Sequence, residues 1–201
     1  MTERADIPAW RSALVLTVIA GVCTFVVGAT YAVTKDRIES NKLELLRAQF
    51  APVMGSVAFD DINFDGARTI ASERLPGSGT AIVYQAYAGG LPAARLYKVD
   101  TLGYAGKMEL LIGIDPAHEI TGVRVLSHSE TPGLGDAIDI SKSNWIESFR
   151  SKSLQNPDLE LWRLQDNGGF FDQFTGASIT PGAVVDAVKK TLVFVTAEAN
   201  P

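Results

Sequence analysis

The chain has 201 residues, of which 46% are hydrophobic and 20% are charged, and these globular proportions exclude a largely disordered protein. Its net charge of −5, without a basic patch, argues against a nucleic-acid partner. Cys23 is the single cysteine and there are two histidines, so the ligands for a zinc, iron–sulfur or haem site are missing. A redox role would therefore require an organic cofactor.

The first predicted element is a run without charged residues at positions 13–33, which follows a short segment at positions 1–12. About twenty apolar residues are needed to cross the hydrocarbon core of a bilayer. Trp10 and Tyr31 lie near the two ends of the run, as aromatic residues do at membrane interfaces. The pattern predicts a single transmembrane helix that stays in the mature chain. A cleaved signal peptide and a buried helix of a soluble protein are the alternatives.

The charges that flank this run leave its orientation open. The basic residues on the N-terminal side are Arg4 and Arg11, and those on the other side are Lys35, Arg37, Lys42 and Arg47. The positive-inside rule would place the large domain in the cytoplasm. Large domains cross membranes largely regardless of charge, so this count decides little.

The rest of the chain predicts a mixed domain. Positions 34–50 have helical apolar spacing and are expected to form a stalk helix, and positions 51–201 form the domain. Positions 60–78 are polar and rich in turn residues, so they are expected to be mostly loop. Short apolar runs between turn signals predict strands of an antiparallel sheet at positions 81–88, 94–101, 107–114 and 120–127.

Two further helices are predicted after the strands. Positions 144–151 are expected to form a helix capped by Asn144. A second helix is expected to start at Thr180-Pro181 and run to about position 198. Its core face is predicted to consist of Val184, Val185, Val188, Leu192 and Val195. The predicted fold class is α+β: a transmembrane helix, then an antiparallel sheet with packed helices.

The segment Asp172-Gln173-Phe174-Thr175-Gly176-Ala177-Ser178-Ile179-Thr180-Pro181 places a turn of small residues before a helix start. The first N–H groups of a helix have no intrahelical acceptor and carry a partial positive charge, so an anion such as phosphate is favoured there. On the residues alone, an ordinary helix-capping loop is the better interpretation of this segment.

Asp172-x-x-Thr175-Gly176-Ala177-Ser178 resembles the flavinylation motif D-x-x-[ST]-G-A-[ST]. In proteins with this motif, a flavin transferase takes flavin mononucleotide (FMN) from FAD and esterifies the FMN phosphate to the last hydroxyl residue. The resemblance implies covalent FMN on Ser178, where many relatives have threonine. It also implies contacts from Thr175, Gly176 and Ala177, with Thr180 close by in the next helix.

A second segment, His128-Ser129-Glu130-Thr131-Pro132-Gly133-Leu134-Gly135, is similar to the H-x-E-T-P-G-L-G stretch of FMN-binding domains. Its proline and glycines predict a tight turn that brings backbone amides near a flavin. The hypothesis is that Glu130 and Thr131 make polar contacts, that Gly133 supplies backbone, and that Leu134 lies on the ring face. A purely structural turn is the alternative. Roles for His128, Lys142 and Trp145 stay open.

With both motifs and the anchor, the chain is similar to the G subunits of Rnf complexes, the ion-translocating ferredoxin:NAD oxidoreductases. The related C subunit of the sodium-translocating NADH:quinone oxidoreductase has the same layout but is usually longer. The resemblance implies an electron-carrier subunit, and not an independent enzyme, in the inner membrane with its FMN domain in the periplasm. The implied partners are the other membrane subunits and, during maturation, the flavin transferase.

Three other functions are alternatives to this one. A flavin-bearing subunit of another respiratory chain would share the motifs, and a non-redox anchored binding module would use the TGAS turn only as a helix cap. A hydrolase is the weakest alternative, because the sequence has no G-x-S-x-G motif. The predicted span has no charged residue, so the chain is not expected to be the ion path.

Overall fold

The computed structural model describes residues 9–199, and residues 1–8, including Arg4, lie outside this part. The chain divides after Leu46 into two compact units. The first helix, α1, runs without a break over Ala9–Met54 and contains both predicted segments, 13–33 and 34–50. Within the described residues, only Ala13–Lys35 forms a helical stretch long and apolar enough to cross a membrane.

Threonine side chains of this stretch form hydrogen bonds within the helix. The hydroxyl groups of Thr17, Thr24 and Thr30 donate hydrogen bonds to the carbonyl four residues earlier, at 2.9, 2.8 and 2.8 Å. Unsatisfied polar groups are costly in hydrocarbon, so these bonds suit an apolar environment. None of the stretch is buried by the rest of the chain.

The second unit is built on a five-stranded sheet in the order β1-β2-β3-β4-β5, in which every neighbouring pair is antiparallel. The strands are β1 (Asp61–Ala71), β2 (Thr80–Ala88), β3 (Leu91–Leu102), β4 (Lys107–Ile114) and β5 (Ile120–Ser127). The predicted strands correspond to β2 through β5. The α+β class and the antiparallel sheet are therefore confirmed.

Strand β1 corrects the prediction that positions 60–78 are mostly loop. It is an edge strand paired only with β2, and most of its residues are exposed. The register shifts between Asn63 and Arg68, where the Asn63 side chain accepts a hydrogen bond from Gly66 N–H at 2.7 Å. An exposed, bulged edge strand has no alternating apolar pattern, because backbone pairing holds it instead of side-chain burial.

One face of the sheet carries the main core. The last helix, α2 (Ile179–Ala199), packs against β3 and β4. The five residues predicted to face the core are all buried: Val184, Val185, Val188, Leu192 and Val195. They pack with alternate residues of β4, namely Met108, Leu110, Ile112 and Ile114. Residues at helical spacing on α2 and alternate residues on β4 therefore pack together in a single apolar layer.

The opposite face is covered by the last turns of α1. Tyr84 alternates along β2 with Val83, which packs on the main core, so Tyr84 points the other way. The buried ring of Phe50 packs edge-on against Tyr84 and Phe64, with centroid distances of 4.9 and 5.2 Å. The Thr121 hydroxyl donates to the Val53 carbonyl at 2.7 Å. This end of α1 is therefore an integral part of the second unit.

The predicted helix at 144–151 is shorter and tighter than expected. Only Trp145–Phe149 is helical, as a 3₁₀ turn, and the Asn144 side chain makes no capping bond. The Ser143 hydroxyl accepts the Trp145 N–H instead, at 3.1 Å. The turn serves to bury Phe149, which stacks on Phe171 with centroids 4.6 Å apart. The conformation of this segment is therefore determined by the burial of large aromatic rings and not by a longer series of helical hydrogen bonds.

Glu147 on this turn gives a prediction about pH. Burial raises the pKa of its carboxyl, but the ion pairs with Arg150 and Arg124 outweigh burial and hold the pKa below its usual range. A depressed pKa contributes stability above the unfolded-state value, about 4.3, and this contribution disappears as pH falls through the folded-state value. Glu147→Gln should therefore lower the free energy of unfolding at pH 7 by about 1 kcal/mol or less, because the pairs are partly exposed.

The measurement is the free energy of urea unfolding at pH 7 and across the acid range. The difference between Glu147→Gln and the parent should shrink as the carboxyl of the parent becomes protonated. Asp186→Asn removes an exposed ion pair with Lys190 and serves as the control that should change little at either pH. An undiminished Glu147→Gln difference at low pH would contradict the linkage.

Candidate functional site

Ser178 occupies the N-cap of α2. Its carbonyl accepts the first i→i+4 bond of the helix, from Gly182 N–H at 3.1 Å, and its side chain is exposed. The N–H groups of Ile179 and Thr180 follow at the helix start, where no carbonyl one turn earlier can pair with them. The predicted start at Thr180 is thus corrected by one position: Thr180 lies inside the helix, and its hydroxyl is used elsewhere.

The residues before Ser178 form a tight turn. The Ala177 N–H donates to the Phe174 carbonyl at 3.1 Å, and Gly176, at the third position, has a φ of +79°. This is the arrangement of a type II turn, which requires a residue tolerant of positive φ at that position. Thr175, at the second position, is exposed on the outside of the turn. The TGA sequence therefore sets the direction in which the chain enters α2.

The second motif forms a turn of the same kind. The Leu134 N–H donates to the Thr131 carbonyl at 3.1 Å, and Gly133 has a φ of +80°. The Asp136 carboxylate, 7% exposed, accepts the Gly133 N–H at 2.8 Å and locks the turn from below. Asp136 was not predicted to take part. The tight turn expected from Pro132 and the glycines is present.

Glu130 joins three segments of the chain at the base of the site. It is 6% exposed, and its carboxylate accepts the Thr180 hydroxyl at 2.7 Å and the Ala105 N–H at 3.0 Å. Thr180 in turn accepts the Tyr104 N–H at 3.3 Å. The imidazole Nδ1 of His128 accepts the Glu130 N–H at 3.2 Å. A buried carboxylate with several donors is a strong positioning element, because its bonds are charge-assisted.

These elements enclose a pocket of about 260 Å³ beside Ser178. The predicted residues that line it are Glu130, Thr131, Leu134, Gly176, Ala177, Ser178 and Thr180. The predicted residues Thr175 and Gly133 are not in the lining and lie on the adjoining turns. The lining also includes Tyr104, Gly135 and Ile179. The two sequence motifs, which are far apart along the chain, thus meet in one pocket.

Trp145 and Lys142 do not line this pocket. The Trp145 indole N–H donates to the Asp172 carbonyl at 2.8 Å, and its ring packs edge-on against Phe174 and Phe149. Trp145 therefore fastens the start of the flavinylation-like segment to the aromatic core. Lys142 is exposed. Of the two, only Trp145 has contacts that bear on the site, and it acts through the backbone.

Other cavities exist in the second unit. Three of them are larger: two, of about 440 and 500 Å³, share Gln85, Arg95, Tyr97 and Glu198 in their linings, and one, of about 580 Å³, lies along residues 71–80. None of the three is lined by a residue of the two motifs. Among the described residues no cluster of His, Cys, Asp and Glu suits a metal ion. The pocket at Ser178 therefore differs from the others in its chemistry and not in being larger.

The chemistry of this pocket fits a phosphorylated aromatic ligand. A free hydroxyl and the first N–H groups of a helix lie at one end, where a phosphate is stabilised. Apolar side chains of Tyr104, Leu134 and Ile179 form the walls, and polar groups of Glu130 and Thr180 lie at the base. A concave apolar site with a few fixed polar groups is the usual form of a cofactor site.

Gly135 gives a prediction about the base of the pocket. A Cβ on Gly135 would meet the Glu130 carboxylate and would lie 3.2 Å from the Thr180 hydroxyl. Gly135→Ala should therefore lower the free energy of unfolding by about 1–3 kcal/mol through overpacking. In Gly182→Ala the Cβ meets only Leu164, at an ordinary 3.6 Å, within a helix. That control should raise stability by up to about 1 kcal/mol, and equal losses in the two variants would contradict the packing argument.

Two family models match this chain. The FMN-binding domain model matches residues 103–193, which span β4, β5, both motifs and most of α2. The RnfG N-terminal region model matches residues 1–53, which include the apolar stretch of α1. The matched regions leave out β1, β2 and β3.

The chain is also similar over most of its length to curated proteins whose names describe the G subunit of an ion-translocating oxidoreductase complex. The relative from Aliivibrio fischeri is 39% identical over 186 residues, 92% of this chain and 89% of the relative. The relative from Vibrio vulnificus is 39% identical over 187 residues, 92% and 88% of the two chains. The relative from Shewanella amazonensis is 38% identical over 191 residues, 93% and 88% of the two chains.

Proposed function

This chain belongs to the family of G subunits of ion-translocating oxidoreductase complexes, and on that premise we propose that it carries FMN on Ser178 as a membrane-anchored electron carrier. The resemblance inferred from the motifs is confirmed. The observation that carries the proposal is the meeting of the two motifs in one pocket beside an exposed serine hydroxyl. An FMN-binding domain on an apolar anchor helix supports an electron-transfer role.

In the proposed attachment, the flavin transferase brings the FMN moiety of FAD to the Ser178 hydroxyl. The hydroxyl oxygen forms a bond to the FMN phosphorus, the pyrophosphate bond of FAD breaks, AMP leaves, and the hydroxyl proton is released to solvent. The turn at Phe174–Ala177 presents the hydroxyl to solvent, where a transferase can reach it. The N–H groups at the start of α2 stabilise the phosphate that remains. Thr175 is exposed on the turn beside Ser178, where it can contact the bound cofactor from outside the pocket lining and is also accessible to the transferase.

The other residues hold the ring part of the cofactor. Bound FMN supplies the electron-accepting and electron-donating chemistry, and the chain supplies position and environment. Leu134 and Ile179 exclude water from the ring, Thr131 offers polar contacts, and Gly133 shapes the turn that carries Leu134. Glu130 and Thr180 keep the turn between β3 and β4 against α2. This assignment of roles extends the sequence-based hypothesis to the geometry of the pocket.

The proposed partners are the other membrane subunits of the complex, because the names of the relatives describe a multi-subunit oxidoreductase. The stretch Ala13–Lys35 is the proposed single span. We place the FMN domain in the periplasm on the family resemblance, although Lys35 and Arg37 on the domain side of the span favour the opposite orientation by the positive-inside rule. Protease access to the domain in spheroplasts, compared with lysed cells, tests this placement.

The test of the cofactor is denaturing-gel flavin fluorescence of the full chain made with and without an active flavin transferase. A fluorescent band that survives denaturation only when the transferase is present is the expected result, and mass mapping should locate the adduct on the Ser178 peptide. Absence of the band, with the transferase active on another substrate, would leave a non-redox anchored binding module as the better account.

A further inference from the structure

Three large apolar side chains remain exposed around the mouth of the pocket. Tyr104 is 75% exposed, Ile179 is 59% exposed and Leu134 is 49% exposed. All three contribute to the lining. Single exposed apolar residues are ordinary on protein surfaces, but a group of them around a cavity marks a ligand site. Tyr104 is the most exposed of the three and the only aromatic one, and it belongs to neither sequence motif.

The backbone of Tyr104 is held firmly against the base of the pocket. It lies in the turn between β3 and β4, which is closed by the bond from Gly103 N–H to the Gly106 carbonyl at 2.8 Å. The Tyr104 N–H is bonded to the Thr180 hydroxyl and the following Ala105 N–H to the Glu130 carboxylate. Two successive amides are thus tied to two buried polar side chains. The position of the Tyr104 backbone at the edge of the pocket is therefore fixed by residues of the base of the pocket.

The Tyr104 ring is held on a fixed backbone, but most of its surface is exposed to water. A bound ligand could therefore bury this surface. Aromatic side chains bury about 150–250 Å² when they are fully packed, so the folded chain leaves much of this stabilisation unused. The flavin ring system is planar and aromatic, and aromatic rings favour offset stacking on one another. Among the residues that line the pocket, Tyr104 alone has an exposed aromatic ring. The flavin ring of the proposed ligand is suited to stack on that ring.

We propose that Tyr104 is a further cofactor-contacting residue, whose phenol ring stacks on the flavin ring and shields it from solvent. This inference rests on the proposed covalent FMN at Ser178 and adds a wall that neither motif contains. The stack has a measurable optical consequence. When the flavin absorbs light, an adjacent phenol transfers one electron to the excited ring and then regains it, so that emission is lost without net chemistry.

The experiment compares the full flavinylated chain with Tyr104→Ala, Tyr104→Phe and Leu91→Ala. Native flavin fluorescence is divided by the fluorescence of the same sample after denaturation, which corrects for loading, and iodide quenching measures solvent access. Tyr104→Ala should become several-fold brighter and more accessible to iodide. Tyr104→Phe should become brighter, because phenylalanine is a poor electron donor, but should keep its protection from iodide. Leu91→Ala, 71% exposed at the opposite end of β3, should match the parent.

The outcomes separate the two proposals. Unchanged brightness and iodide access in a loaded Tyr104→Ala chain would overturn the stacking of Tyr104 while leaving the covalent cofactor intact. If Tyr104→Ala loads too little flavin to be measured, the comparison of Tyr104→Phe with the parent decides: a brighter Tyr104→Phe supports the stack and an equal one overturns it. A parent chain without covalent flavin would instead mean that the proposed function has failed.

Discussion

Ser178→Ala should abolish covalent flavin entirely, because alanine has no oxygen to bond to the phosphate. The Thr180 hydroxyl cannot replace it, since Thr180 is 1% exposed and donates to Glu130. Ser178 is the N-cap of α2 and its side chain is exposed, so its loss should lower the free energy of unfolding by only about 0.5–1 kcal/mol and leave the domain folded. The measurement is denaturing-gel flavin fluorescence after co-expression with the transferase, with thermal unfolding as the check on folding.

Two variants serve as controls for this result. Ser178→Thr keeps a hydroxyl at the same position and should remain fluorescent. Thr175→Ala removes a hydroxyl from the outer side of the same turn, away from the pocket lining, and should keep a covalent band even if loading is slower. A fluorescent Ser178→Ala band would show that another residue is the acceptor. Loss of the band in Thr175→Ala alone would move the acceptor to that residue.

Phe149→Ala should produce the largest loss of stability. Phe149 is fully buried, stacks on Phe171 at 4.6 Å and packs edge-on against Trp145 at 5.3 Å. Truncation of such a ring leaves a cavity and costs about 3–5 kcal/mol. The free energy of urea unfolding, followed by tryptophan fluorescence, measures this directly. Because Trp145 holds the Asp172 backbone, the variant should also load flavin more slowly.

Phe170→Ala is the matched control for this truncation. Phe170 packs edge-on against Phe171 with a centroid distance of 5.3 Å, but it is 41% exposed. The lost ring would be replaced largely by water and not by a cavity, so the cost should stay below about 1.5 kcal/mol. Equal losses in Phe149→Ala and Phe170→Ala would contradict a core centred on Phe149.

The sequence predicted those parts of the fold that depend on local patterns. The runs at 107–114 and 120–127 are apolar and bounded by turn residues, and they coincide with β4 and β5. The core face of α2 followed from helical spacing. Strand β1 could not be found in this way, because an edge strand exposed on most of its residues leaves no periodic signal. Asn144 is a typical cap residue and therefore predicted a helix longer than the observed turn at Trp145–Phe149. Tertiary packing, which the local sequence does not reveal, shortens the helix.

In the candidate site, too, local features could be predicted from the sequence and tertiary contacts could not. The turns at Gly133 and Gly176 could be predicted from the sequence, since their geometry depends on a few adjacent residues. Tyr104 could not, because it reaches the pocket through a bond to Thr180, 76 positions later. The same holds for the Glu130 bond to Thr180, which spans 50 positions. Tertiary proximity of this kind has no local signal, although the Gly103–Gly106 turn marked where the chain would bend.

The long separations within the Glu130 network also bear on the order of events in biosynthesis. The pocket needs residues from the β3–β4 turn, the second motif and the first turn of α2 at the same time. During synthesis the anchor helix emerges early, whereas α2 emerges only after every strand. A nascent chain therefore has no ring-binding wall to offer, and the cofactor should be received only by a finished domain. Only fully folded chains would then carry flavin, and incompletely folded chains would remain colourless.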